Sequence, residues 1–175
     1  MSTLASEPAR AWRFGDNVNT DLILPGPFLR AHPEVQARQV FSANRPGWVD
    51  QIRAGDVIVA GRNFGMGSAR PAQRSFKRLG LGFLVAEQVN SLFFRGCVNF
   101  GFLALDCPGV TQAFAEGDAI AFDREAWLLR NLTTGIAIPP APLAPQFLRM
   151  MTEGGLFPML EAEGLLAPEA PWASA

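Results

Sequence analysis

Short apolar runs, each bounded by glycine, proline or acidic and amide residues, set the pattern of the chain. Those at Ala11–Phe14, Val57–Ala60, Gly82–Ala86, Phe102–Leu105, Ala119–Phe122 and Trp127–Asn131 predict strands. Four or five apolar residues between turn formers suit a buried, pleated segment. Longer periodic stretches predict helices over Glu34–Ser42, Arg70–Leu79, Val89–Val98 and Gln146–Glu153, with a short one near Phe157–Glu163. In the second of these, Phe76 and Leu79 stand three apart, a spacing fit for packing on a sheet. The middle of the chain thus reads strand, glycine-rich loop, helix, strand, helix, strand, an α/β order with crossover connections. From about Asp118 the pattern turns to short strands between turn residues. PPAPLAP, 139–145, predicts a rigid extended connector to the last helices, and the final PEAPWASA predicts a frayed tail. With no internal repeat, residues 1–175 are expected to form one domain with its core over about 10–165.

Composition narrows the function classes. Fifteen Lys and Arg against 16 Asp and Glu leave a net charge of −1. No basic excess exists to drive nucleic-acid or membrane-surface binding. No apolar run approaches the roughly 20 residues needed to span a bilayer. MSTLASEPARAW at the start has neither a basic n-region nor an apolar core, so a cytoplasmic location is expected. Two cysteines, Cys97 and Cys107, match no zinc or redox spacing and are too few for an iron–sulfur cluster, which takes three or four thiolates. They read as buried, reduced core residues. The single histidine, His32, precedes Pro33 and reads as a loop or cap residue rather than a general base.

Two stretches carry chemistry. In GRNFGMGSAR, 61–70, Gly65 and Gly67 let the backbone bring peptide N–H groups close to a ligand. Ser68 is expected at the N-cap of the following helix and Arg70 in its first turn. Helix N-terminal N–H groups attract anions, and a guanidinium adds a planar fork for a carboxylate or phosphate. The bland alternative is a tight turn with an ordinary serine cap. The order G-x-x-x-G-x-G misses the dinucleotide fingerprint, no G-K-[ST] forms a Walker loop, and the serine-hydrolase elbow spacing fails. In GDNVNTDLILPGPFLR, 15–30, the alternating Asn17, Asn19 and Asp21 suggest a calcium loop, but Leu22 fills the slot that needs glycine. A loop offering Asp21 and Arg30 suits a small polar acid instead. The basic run RPAQRSFKR, 70–78, reads as a solvated face or a subunit contact, since only Phe76 is interleaved.

Together the two stretches resemble the signature loops of 3-isopropylmalate dehydratase small subunits, a family similar to the mobile C-terminal domain of aconitase. The family patterns are G-D-N-x-D-T-D-x-I-I-P-x-x-F/Y-L and G-x-N-F-G-x-G-S-S-R-E, against GDNVNTDLILPGPFL and GRNFGMGSARP here. LVAEQVNSLFFRGCVNFGFLAL is similar to A-x-S-F-A-x-I-F-x-x-N-x-x-N-x-G-L-x-L, and NLTTG at 131–135 and the helix before Gly154 also fit. The resemblance runs in order from about Phe14 to Gly164.

This resemblance implies a three-layer β/β/α swivelling domain that is half of an enzyme. Its large partner subunit is expected to carry a [4Fe-4S] cluster with one iron open to substrate, while this chain binds no cofactor. The implied reaction moves a hydroxyl between adjacent carbons of a hydroxy di- or tricarboxylic acid by dehydration and rehydration. Ser68 matches the serine taken as the base, and Arg70 the arginine that grips a substrate carboxylate. Asp21 matches the loop aspartate expected in proton relay, with Thr20 and Gly67 in the substrate seat. Arg30 lies where the family varies, and an arginine there favours a substrate with an additional carboxylate.

The chain departs from the pattern at Asn19, Met66, Ala69 and Pro71, the last two replacing the second serine and the glutamate. Ser68 and Arg70 are kept, which favours a working enzyme of altered specificity. A non-catalytic carboxylate-binding or regulatory module on the same fold is the alternative, and a mononucleotide-binding domain is a weaker one.

Overall fold

The first half of the sheet follows from apolar runs that need cover on both faces. In the computed structural model, which describes residues 9–166, β1 (Ala9–Arg13), β2 (Val57–Ala60), β3 (Leu84–Ala86) and β4 (Ala104–Asp106) lie parallel. The four residues of β2 are fully buried, as a central parallel strand with helices on one face and another layer on the other requires. The antiparallel β5 (Ala119–Asp123), β6 (Leu128–Asn131) and β7 (Ala137–Ile138) extend the sheet in the order β4-β3-β2-β1-β5-β6-β7.

The period-two alternation of side chains divides the core in two. One face, with Trp12, Ile58, Ala60, Leu84, Ala86 and Ala104, packs against the helical layer through Phe41, Phe76 and Phe93. That layer holds α2 (Pro33–Arg38), α3 (Ala72–Arg78), α4 (Ser91–Phe100), α6 (Pro145–Thr152) and α7 (Leu156–Ala162). The other face, with Ala11, Val57, Val59, Phe83, Val85 and Leu105, meets Ile120, Phe122 and Leu129 of the curled antiparallel half. The result is three layers, β/β/α, as expected. The basic run 70–78 lies on this framework: Phe76 is fully buried and Arg74 stacks over Phe100. Among the described residues no helix is long and apolar enough to cross a membrane.

The predicted elements form with shifted ends. The helix expected to reach Ser42 stops at Arg38, because tertiary packing claims the next turn. Phe41 takes a left-handed φ of 58°, donates its N–H to Ile23 O at 2.9 Å and stacks on Phe14 at 4.3 Å. His32 caps the start of α2, its Nδ1 accepting from Glu34 N at 3.5 Å. Four elements were not expected: the single-turn α1 (Thr20–Ile23), a 3-10 turn over Gly26–Phe28, α5 (Val110–Ala113) and the two-residue β7. The proline-rich connector covers the edge of β4, where Ala141 N donates to Asp106 O at 2.7 Å, so the edge is not left open to another chain. The terminal PEAPWASA lies outside the described residues.

At the amino end of the parallel strands, the buried Asp56 carboxylate collects donors from three residues, two on β1 and one in the turn before β2. Trp12 Nε1 donates to it at 2.7 Å, Arg10 Nη2 at 2.9 Å and Arg53 N at 3.0 Å. Burial pushes this carboxyl up, but the bonds from Trp12, Arg10 and Arg53 and the Arg10 charge outweigh it. The group is held below the usual carboxylate range.

Candidate functional site

The carboxyl ends of parallel strands are where an open α/β sheet places ligands, and both motif loops leave the sheet there. They are stitched to each other and to the loop after β3. Asn17 N donates to Arg62 O at 2.8 Å, Gly65 N to Val18 O at 2.7 Å and Thr20 N to Met66 O at 2.8 Å. On the other side Phe64 N donates to Gln88 O at 3.1 Å and Asn90 N to Phe64 O at 2.8 Å. A run of amides locks the same three loops: Asn63 Nδ2 donates to Asn17 Oδ1, and Asn90 Nδ2 to Asn63 Oδ1, each at 3.1 Å. Asn17 and Asn63 hold φ of 55° and 58°, a left-handed conformation that asparagine tolerates. Asp16 Oδ1 accepts from Arg62 N at 2.7 Å. The GDN and GRN parts of the motifs are therefore scaffold, and they hold the later motif residues, Thr20, Asp21 and Ser68–Pro71, in place.

Beside those residues opens a cleft of about 370 Å³, lined by Thr20 and Ser68–Pro71 on one side and by Gln73 and α4 on the other. Gly65 sits at φ +80° with the Phe93 ring where a side chain would be, and Gly67, at φ +104°, lies over Thr20. Ser68 is exposed in the cleft. Arg70 Nε donates to Ser68 Oγ at 3.4 Å, its Nη1 donates to Leu24 O at 2.6 Å, and its Nη2 pairs with Asp21 Oδ1. The Arg70 side chain is 10% exposed and that of Asp21 62%. Thus Ser68, Arg70, Asp21, Gly67 and Thr20 come together. Arg30 does not join them: it is exposed in the turn after the 3-10 segment and outside the cleft lining.

One expectation is corrected. Ser68 is not an N-cap and Arg70 is not in a first helical turn, because α3 begins at Ala72 with Pro71 as its N-cap. Proline has no N–H and disfavours helical geometry in the residue before it, so residues 68–70 stay in the loop. The positive charge beside Ser68 Oγ comes from Arg70, not from a helix end.

Sequence reasoning missed the α3–α4 wall. Gln73 is 2% exposed, its Nε2 donates to Phe93 O at 3.1 Å, and its Oε1 has no partner. Thr20 Oγ1, also buried in the cleft lining, likewise has none. Leu92, Arg95, Gly96 and Asn99 line the cleft from one stripe of α4, and their i, i+3, i+4, i+7 spacing was the available signal. Gly96 stands where the family pattern has asparagine. A Cβ there would lie 2.5 Å from Gln73 Nε2, so glycine and glutamine share one volume.

Among the described residues neither cysteine belongs to a cluster of potential metal ligands. Both are buried, and burial pushes Cys97 well up and Cys107 to about 12, with the Glu87 charge adding to the latter. A thiol so placed stays protonated. Glu87 itself clasps α5, accepting from Gly109 N at 2.7 Å, Thr111 N at 2.9 Å and Thr111 Oγ1 at 2.6 Å. Among the described residues no group of three or more His, Cys, Asp or Glu could hold a metal ion.

No protein-family model matches the chain. Individual proteins do. The small subunit 1 of 3-isopropylmalate dehydratase from Methanopyrus kandleri is 38% identical over 157 residues, 89% of this chain and 92% of that protein. The methanogen homoaconitase small subunit from Methanothermobacter thermautotrophicus is 38% identical over 149 residues, 84% of this chain and 86% of that protein. The crystal structure of 3-isopropylmalate dehydratase from Methanocaldococcus jannaschii superposes with a TM-score of 0.83 at 29% identity, covering 90% of this chain and 94% of that one. Fold and likeness over nearly the whole length agree, and the chain belongs to the family of 3-isopropylmalate dehydratase small subunits.

Proposed function

We propose that the chain acts with a large iron–sulfur subunit as a hydro-lyase that dehydrates and rehydrates 3-isopropylmalate or a related hydroxy di- or tricarboxylic acid in the cytoplasm. The observation that carries this reading is the convergence of Ser68, Arg70 and Asp21 beside a cleft at the carboxyl edge of the parallel strands. An isopropylmalate/citramalate isomerase small subunit from Methanocaldococcus jannaschii, 35% identical over 154 residues, adds citramalate to the acids named among its relatives.

The cluster belongs to the partner in this reading, since this chain has only two thiols, both buried, and a cluster takes three or four. When bound there, it supplies a Lewis acid for the substrate carboxylate and for the departing hydroxyl. This chain supplies the base. Ser68 Oγ takes the proton from the carbon next to a carboxylate, the C–H electron pair becomes the new double bond, and hydroxide leaves the neighbouring carbon. In the return direction Ser68 gives the proton back. Arg70, 3.4 Å from Ser68 Oγ through Nε, favours the anionic oxygen, because a nearby positive charge lowers the cost of deprotonation. Asp21 holds the fork of Arg70 in that orientation and can pass a proton from its exposed side. Thr20 lines the cleft with Gly67 packed over it, and Arg30, outside the cleft lining, is the proposed reader of any additional carboxylate. Ala69 withdraws a hydroxyl from the cleft, which shifts preference among acids.

Relatives along nearly the whole chain are named as enzyme subunits, which favours this reading over a non-catalytic module. Co-expression with the large subunit, anaerobic cluster reconstitution and a panel of isopropylmalate, citramalate, citrate and homocitrate tests it. Formation of the unsaturated acid from at least one member is expected. A complex with an intact cluster that turns over none of them would contradict the reading.

A further inference from the structure

The outer side of α3 carries Arg74, Lys77 and Arg78, which line a groove of about 620 Å³ between α3, the carboxyl end of α4 and α7. Lys77 builds the floor of this groove: its Nζ donates to Phe100 O at 2.8 Å and to Gly154 O at 3.3 Å. Arg74 and Arg78 carry unpaired charge, since among the described residues neither forms an ion pair. Arg74 lies over the Phe100 ring at 5.7 Å, which leaves the donors at the rim of its guanidinium for another molecule. Glu161 is the one acidic residue among the described lining. Three cations against it make the groove positive in a chain whose net charge is −1. Apolar surface lies beside the charge, with Phe100, Pro158 and the 44% exposed Phe157. Asn99 and Phe100 line both this groove and the cleft beside Ser68, so one continues into the other.

We infer that this groove docks an acidic segment of the large iron–sulfur subunit, one with two or more carboxylates beside an apolar side chain. This rests on the function proposed above. A cleft that shares its substrate with a cluster held by another subunit has to be covered by that subunit, and the groove continues from the cleft. Carboxylates of the segment pair with Arg74 and Arg78, where a planar fork adds geometry to charge, and its apolar side chain covers Phe100 and Pro158. The basic run 70–78 is then a subunit contact, with Phe76 in the core and the arginines toward the partner.

The test titrates the small subunit into the purified, cluster-loaded large subunit, comparing wild type, the double variant Arg74→Glu/Arg78→Glu, and Glu161→Lys. The double variant should raise Kd by about 10- to 100-fold at low salt, chiefly through slower association. That gap should close to a few-fold in about 1 M salt, where the screening length is only about 3 Å. Glu161→Lys should tighten binding, a gain that no misfolded subunit can mimic. With the small subunit saturating, kcat and KM of both variants should stay within about threefold of the wild type. An unchanged Kd in the folded double variant would overturn the inference and leave the hydro-lyase reading standing. So would an unchanged Kd with a raised KM, because the groove would then gather the small acid instead. If the double variant loses its fold, Glu161→Lys decides alone, and binding no tighter than wild type overturns the inference. A wild-type pair that does not associate would remove both.

Discussion

In an assembled complex, Ser68→Ala is expected to lower kcat by about 10²–10⁴-fold, the usual range for removing a positioned general base. Assembly and thermal stability should not change, because Ser68 is exposed and supports no packing. Its one hydrogen bond is the long one from Arg70 Nε at 3.4 Å, and Arg70 keeps its bonds to Leu24 O and Asp21 without it. KM should stay within a few-fold, since the anion contacts belong to other residues. Steady-state kinetics beside size-exclusion chromatography decide the matter. Wild-type kcat in the variant would mean that the proton goes elsewhere, and equal losses of activity and assembly would make Ser68 an interface residue.

The largest effect on stability lies at the other end of the sheet. Asp56→Ala should cost about 2–4 kcal/mol, as expected when buried donors lose their acceptor. The Asp56 side chain is 4% exposed, and its loss leaves Trp12 Nε1 and Arg53 N without their acceptor, while the one-third-exposed Arg10 guanidinium keeps its bond to Gln51 O at 2.6 Å. Chemical denaturation of the purified chain or complex measures this, and a cost under about 1 kcal/mol, the level of an exposed pair, would contradict it. The same carboxylate sets a pH signature. Its folded pKa lies below the unfolded value of about 3.9, so its contribution is fully present above that value and fades as pH falls through the lower folded one. Asp56→Asn should therefore unfold with a shallower dependence on pH below about 4 than the wild type.

The layers of the fold could be read from the chain because they depend on local alternation. Val57 and Val59 face one core and Ile58 and Ala60 the other, and the run VIVA can satisfy that only as a strand covered on both sides. What escaped were elements fixed by distant contacts. Phe41 ends its helix early because Phe14 and Ile23, far back in the chain, hold it. The single-turn α1 escaped for a local reason instead: its N-cap is Asn19, whose Oδ1 accepts from Leu22 N at 2.8 Å, and one turn is too short to show a helical period.

The candidate site was legible in the same uneven way. Ser68, Arg70 and Asp21 stood out as chemistry-bearing residues in glycine- and proline-rich loops, and the fold does bring them together. Their local geometry was read too simply, since Pro71 keeps Ser68 and Arg70 out of the helix. Gln73 and Arg95 were passed over because each sits inside an ordinary helical pattern. Only the packing of α3 on α4 turns those positions toward the cleft.

The central claim is that this chain, not its partner, provides the base. Exchange of the substrate's abstracted proton with solvent deuterium, followed in the reconstituted complex, tests it most directly because it reads proton removal apart from the remaining steps. The account predicts that the wild-type complex incorporates deuterium at the carbon next to the carboxylate. It predicts that the Ser68→Ala complex, still binding the acid, does so at least about 100-fold more slowly. Equal incorporation rates in the two complexes would contradict it.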